Sequence, residues 1–219
     1  MKKLVLSFLF IAFICSTQLF AQGARIGFKA GLSYSQISGY EFSLLNQAGD
    51  TPRPAPAGAE EGRYGFAVAF LAEIPINDKI SFQPEFAFSS QGNKYEGTRF
   101  DNLQLPLGLR INFNQLFVIA GPQAGIKISD PLQSKNYKSF DVSAFGAIGY
   151  HFNESVFIEA RFTRGFLEIF EDDSQIVVPY TPSGDDPGAN SNSLVNSDNF
   201  LINNTGNNQY FTFSVGYRL

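Results

Sequence analysis

The chain has a single histidine, His151, and that ring is the first candidate for proton transfer. General acid–base work needs a nucleophile or an acid within hydrogen-bond reach of it. Its neighbours Asn153 and Glu154 suit a turn, and no partner constellation is visible. His151 therefore reads as a polar residue of a turn. The acidic clusters Glu171-Asp172-Asp173 and Asp185-Asp186 carry the oxygen donors that calcium takes. Their spacing is not that of a calcium loop, and solvated loop charge is the better reading. Zinc-ligand spacing and a phosphate-cradling glycine loop are missing. No catalytic, cofactor-binding or metal residue is assigned. Five further charges, Glu85, Arg110, Asp141, Glu159 and Arg161, match no motif. What they share appears only in the elements that carry them.

Those elements alternate. Ile80, Phe82, Pro84, Phe86 and Phe88 interleave with Ser81, Gln83, Glu85, Ala87 and Ser89. This is the period of a strand with one apolar face. Asn102 to Ile111, Val156 to Phe166 and Tyr210 to Leu219 repeat it clearly. Arg25 to Ser38, Arg63 to Ile74, Leu116 to Ile128 and Phe140 to Phe152 repeat it more weakly. Eight strands result, an even number, as bacterial single-chain outer-membrane barrels require. The five charges all fall on the face opposite the Phe/Leu side, among Gly, Ala, Ser and Thr. A soluble barrel would show apolar side chains inside and charge outside. The expectation is the reverse: an eight-stranded antiparallel transmembrane β-barrel with lipid against the apolar face. Eight strands leave an interior only wide enough for side chains. The five charges are expected to form a structural polar network that fills it.

Composition agrees. The chain has 24 Phe, 20 Gly and 9 Tyr but no Trp, a bias towards strands and tight turns. Mean hydropathy is near zero, as alternation demands. Met1-Lys2-Lys3, the apolar run Leu4 to Phe13 and the small residue Ala21 have the layout of a secretory signal. Residues 1–21 are expected to be removed, leaving 22–219 as one barrel domain. The only cysteine, Cys15, lies in that signal behind the bulky Ile14, which does not suit a lipoprotein. The mature chain then has no disulfide. The whole chain carries −4, and losing Lys2 and Lys3 takes it to −6, which argues against a nucleic-acid partner.

The connections test the strand assignment independently. Pro75 to Lys79, Asn112 to Gln115 and His151 to Ser155 are short. They alternate with longer links: Gly39 to Gly62, Gln91 to Arg99, Ser129 to Ser139 and Glu171 to Asn208. Outer-membrane barrels have short periplasmic turns and long extracellular loops. Both termini are therefore expected in the periplasm. Pro84, Pro106 and Pro122 interrupt expected strands, and bulges are the expected accommodation.

With these motifs in order, the chain resembles the PorT-like outer-membrane β-barrel family of Bacteroidetes. The resemblance is carried by Gly27-Phe28-Lys29-Ala30-Gly31, Phe82-Gln83-Pro84-Glu85, Leu103-Gln104-Leu105-Pro106-Leu107, Ala120-Gly121-Pro122, Gly146-Ala147-Ile148-Gly149-Tyr150 and Val215-Gly216-Tyr217-Arg218-Leu219. It implies the barrel and the outer membrane, and makes the three prolines family features. It does not imply a reaction.

The expected function is non-enzymatic: envelope structure, or surface interaction through the first and last loops. The alternatives are a narrow pore or an accessory of a protein-secretion complex, and, more weakly, a lipid-modifying enzyme. Expected partners are outer-membrane lipid, the barrel-assembly machinery during insertion and an extracellular or envelope partner of unknown kind; no cofactor is expected. N-terminal sequencing of the membrane-extracted protein should begin at Gln22. A start at Met1 would show the apolar stretch to be a retained anchor.

Overall fold

Alternation becomes strands with nearly the expected bounds. The computed structural model describes residues 23–38, 44–45, 58, 61–94, 99–129, 138–169, 201–202 and 206–219. Among these residues ten strands run β1 (Arg25–Ser38), β2 (Leu44–Leu45), β3 (Arg63–Pro75), β4 (Ile80–Gly92), β5 (Arg99–Phe113), β6 (Leu116–Ser129), β7 (Phe140–His151), β8 (Val156–Glu168), β9 (Leu201–Ile202) and β10 (Asn207–Arg218). Eight of them close an antiparallel barrel in the order β1-β10-β8-β7-β6-β5-β4-β3. β1 pairs with β3 on one side and β10 on the other, so no barrel strand is left with a free edge. The two-residue strands β2 and β9 pair with each other, joining the first and last long connections, a link that alternation does not foretell. The signal segment and the clusters Glu171-Asp172-Asp173 and Asp185-Asp186 lie outside the described residues.

The three short turns gather at the end of the barrel that carries the termini. Asn77 and Asn153 shape two of them in the same way. Asn77 Oδ1 accepts from the amides of Lys79 and Ile80, and Asn153 Oδ1 from those of Ser155 and Val156. A side chain that satisfies two turn amides is why Asn suits this position. The third turn is the residue pair between Phe113 and Leu116, with Asn114 at φ 56°. Left-handed backbone favours Asn over most residues. β7 ends at His151, one residue before the expected end, because Phe152 enters the turn and donates to Val156 O.

The prolines do not make bulges. Pairing of β3 with β4 passes from Leu71↔Glu85 to Ile74↔Phe82, skipping Pro84. Pairing of β4 with β5 passes from Pro84↔Leu107 to Ala87↔Gln104, skipping Pro106. Pairing of β5 with β6 passes from Pro106↔Gln123 to Leu109↔Ala120, skipping Pro122. Each ladder resumes in unchanged register. The missing N–H costs local pairs but inserts no residue, which corrects the expected bulge. Register shifts among the described residues lie elsewhere, at Asp101/Asn102 and Asn207/Gln209.

Phe28, Leu32, Phe66, Phe70, Phe86, Leu107, Phe162 and Phe213 point outward. Inside, an apolar cluster of Leu71, Phe117, Ile119, Phe145 and Phe157 fills part of the lumen. These residues share the phase of the small and charged ones. Glycines make room for the rings. Gly149 lies opposite Phe117 in the ladder, and a Cβ there would sit 2.0 Å from the ring; Gly216 lies opposite Phe157, where a Cβ would sit 2.1 Å from the ring. Gly146, on the outward face, has nothing within 4 Å of its would-be Cβ. Gly149→Ala should therefore destabilise by about 1–3 kcal/mol through overpacking. Gly146→Ala should change stability by less than about 0.5 kcal/mol. Urea unfolding of the refolded barrel measures both; equal effects would contradict the packing described.

Candidate functional site

Three strands deliver a charged quartet to the middle of the lumen. β1 supplies Lys29, β4 supplies Glu85, and β8 supplies Glu159 and Arg161, two residues apart and therefore on one face. Lys29 Nζ lies 3.0 Å from Glu85 Oε2 and 2.7 Å from Glu159 Oε1. Arg161 donates from Nη2 to Glu85 Oε1 at 2.6 Å and from Nε to Glu159 Oε1 at 2.8 Å. Each carboxylate thus faces two cations, and each cation two carboxylates. Arg161 also stacks on the Phe145 ring, its Cζ 4.2 Å from the centroid. All four side chains are buried.

A second group lies nearer the termini. Arg218 Nη1 meets Glu73 Oε2 at 2.6 Å, and Ser81 Oγ donates to Glu73 Oε1 at 3.2 Å. Arg110 is fully buried, 3.7 Å from Glu73, and donates to Gln83 Oε1 and Asn112 Oδ1, each at 2.8 Å. Its guanidinium carbon rides 3.6 Å above the Phe117 ring, and its Nη2 donates to His151 Nε2. Gln83 Nε2 donates to Glu85 Oε1 at 2.7 Å and so joins this group to the quartet. Beyond the quartet, on the side of the other mouth, lies a layer of neutral polar groups. Gln123 Nε2 donates to Tyr210 OH at 2.7 Å, Ser89 Oγ to Gln104 Oε1 at 3.1 Å, and Asn102 Nδ2 to Gln91 Oε1 at 2.9 Å.

Of the five charges expected to form the network, the structure brings Glu85, Arg110, Glu159 and Arg161 together. Asp141 stands apart. As the second residue of β7 it lies near the mouth remote from the termini, half-buried, beside a cavity of about 20 Å³ shared with Lys127, Lys138 and Glu168. Three ionic members escaped the sequence grouping: Lys29, Glu73 and Arg218. Their phase marked them as inward, but their positions near strand ends or beside glycines drew no attention. His151 is also placed differently from expectation. It is the last residue of β7 and points into the lumen, with ring centroids 5.1 Å from Phe117 and 5.7 Å from Phe157. Arg110 from β5 and the rings of β6 and β8 draw it inside. Local sequence could not show this, because those neighbours are remote in the chain.

Chemically, the arrangement is a filling. The cavity at its centre is about 30 Å³ and is lined by Lys29, Glu85, Gln104, Gln123, Arg161 and Tyr210. That volume holds about one water molecule. No group of three or more His, Cys, Asp or Glu that could hold a metal occurs among the described residues.

A closed antiparallel cylinder, apolar outside and ionic inside, is the construction of an outer-membrane β-barrel. Residues 20–171 match the family described as outer membrane protein beta-barrel domain, and the chain belongs to that family. Solved structures of the same type resemble it. Ail, the attachment invasion locus protein of Yersinia pestis, is 12% identical over 90% of this chain and 99% of its own, with a TM-score of 0.42. Neisserial surface protein A is 14% identical over 90% and 98%, with a TM-score of 0.44. OprG from Pseudomonas aeruginosa is 12% identical over 90% and 96%, with a TM-score of 0.42. A search of curated protein sequences finds no match.

Removing one carboxylate from the quartet leaves two buried cations sharing the other. Glu85→Gln should destabilise the barrel by about 3–5 kcal/mol, read from the urea midpoint after refolding into micelles. Asp141→Asn, outside the quartet, should cost less than about 1 kcal/mol. A larger loss at Asp141 than at Glu85 would show that the quartet does not hold the barrel.

Proposed function

We propose that the chain is a non-enzymatic outer-membrane barrel whose lumen is structurally sealed and whose outer loops make its contacts. The observation that carries this reading is the quartet of Lys29, Glu85, Glu159 and Arg161 across the middle of the barrel, with a central cavity of only about 30 Å³. The pore alternative would need a continuous aqueous path past those ions. The enzyme alternative would need a nucleophile beside His151, whose described contacts are Arg110 and the rings of Phe117 and Phe157. Recognition usually lies in loops held by a rigid scaffold.

The short turns at one end support placing the termini in the periplasm, with the long connections outside. Cleavage after Ala21 and insertion by the barrel-assembly machinery belong to the same proposal. So does assignment to the PorT-like branch in Bacteroidetes, supported by the motifs from Gly27 to Leu219. The test is planar-bilayer recording of the refolded protein, which should show no steady open state. A stable single-channel conductance from the wild type would defeat the sealed-lumen reading and favour the pore.

A further inference from the structure

One cation sits on the wrong face for a barrel in lipid. Arg164 lies on the outward face of β8, in the half remote from the termini, between the outward rings of Phe162 and Phe166. No ion pair reaches it among the described residues. An arginine facing hydrocarbon is costly unless it finds an anion or reaches the interface. Its partner across the ladder on β7 is Ala144, too small to cover it. Its partner on β10 is Gln209, which in turn pairs with Gln36 on β1. An outward polar strip therefore crosses β8, β10 and β1 where the rest of the belt is apolar.

That strip runs into a groove of about 820 Å³, to which Gln36 itself contributes. Arg63, Lys94 and Arg99 line the groove with Glu61, which Lys94 meets at 2.8 Å, and the carboxylate of Asp101 acts on Arg63 from nearby. Arg63 donates to Gln91 O and Arg99 to Lys94 O, so backbone carbonyls orient these two guanidiniums. Tyr34 and Tyr64 stand together on the outward side, ring centroids 5.1 Å apart, as an amphipathic pair at the edge of a lipid belt does. Cations, amides and tyrosines gathered at this mouth have the chemistry that holds a phosphate at a membrane surface.

We propose that Arg164, Gln209 and Gln36 together with the groove bind the phosphate of an anionic lipid headgroup at the rim remote from the termini. The leaflet follows from the orientation proposed above; the site itself does not depend on it. The probe is bisphosphorylated lipid A, incubated with the refolded full mature chain and read by native mass spectrometry. The wild type should retain it, and should retain dephosphorylated lipid A much less. Arg164→Gln should weaken retention about fivefold, the worth of one basic residue at a membrane surface. Arg164→Lys should keep most of it, and adding Arg99→Gln to Arg164→Gln should weaken it further. Heat-modifiable gel migration confirms that each variant has closed its barrel.

Equal retention of the two lipids, or undiminished retention by Arg164→Gln, would overturn the site and leave Arg164 merely extended to water. Full displacement by millimolar inorganic phosphate would also overturn it, since the binding would then be to free phosphate. Orientation is read separately, by labelling a cysteine placed at Ser139 on intact cells with an impermeant maleimide. Selective lipid retention without labelling would overturn the orientation and leave the site standing.

Discussion

In hydrocarbon no water is available to satisfy a backbone amide or carbonyl, and each unmet group costs several kcal/mol. Everything else in this chain follows from that constraint. Strands must pair on both sides, so β1 takes β3 and β10 as neighbours and the sheet closes. Closure with eight strands leaves a lumen of side-chain width. Whatever faces inward must then fill that width and satisfy itself, because the solvent available there is a few molecules at most. The alternation of the sequence is the visible trace of these two demands acting on opposite faces.

Charges answer the second demand at a cost. Burying an ion carries a desolvation penalty that a partner offsets only in good geometry. The quartet meets that condition by sharing, with each of Glu85 and Glu159 held by both Lys29 and Arg161. It also spans strands that are not neighbours, since β4 and β8 lie on different walls of the barrel. An apolar filling would tolerate a strand sliding by two residues. The quartet does not, and a slip by one would turn Glu85 into lipid. The charges thus specify register more sharply than bulk could.

Much of this is legible in the sequence. The bounds of β1 follow Arg25 to Ser38 residue for residue, and the inward phases of Glu85, Arg110, Glu159 and Arg161 follow alternation alone. A period of two reports only which face a side chain takes. It is silent about height along the barrel, and height decides who meets whom. For that reason alternation sets Asp141 beside residues it does not reach and does not single out Lys29, Glu73 and Arg218. His151 sits at a strand end, where alternation gives way to turn composition, and so read as part of the turn. The rings of Phe117 and Phe157 fall in the phase of the polar face, and only their cross-strand glycines, Gly149 and Gly216, show that the lumen has space for them.

The prolines show how the two faces compensate each other. Pro84, Pro106 and Pro122 lie on the adjacent strands β4, β5 and β6, and the gaps they leave fall in successive ladders between β3 and β6. This wall is the part of the cylinder with the most interrupted backbone pairing among the described strands. Among the described residues, side chains also cross here from strand to strand. Between β4 and β5 alone, Arg110 reaches Gln83, Ser89 reaches Gln104 and Asn102 reaches Gln91, all inside the lumen. Hydrogen bonds lost from the ladder are thus accompanied by others made on the inner face, where a polar side chain would need a partner in any case. The proline-interrupted ladder and the polar network of the lumen thus share the strands β4 and β5.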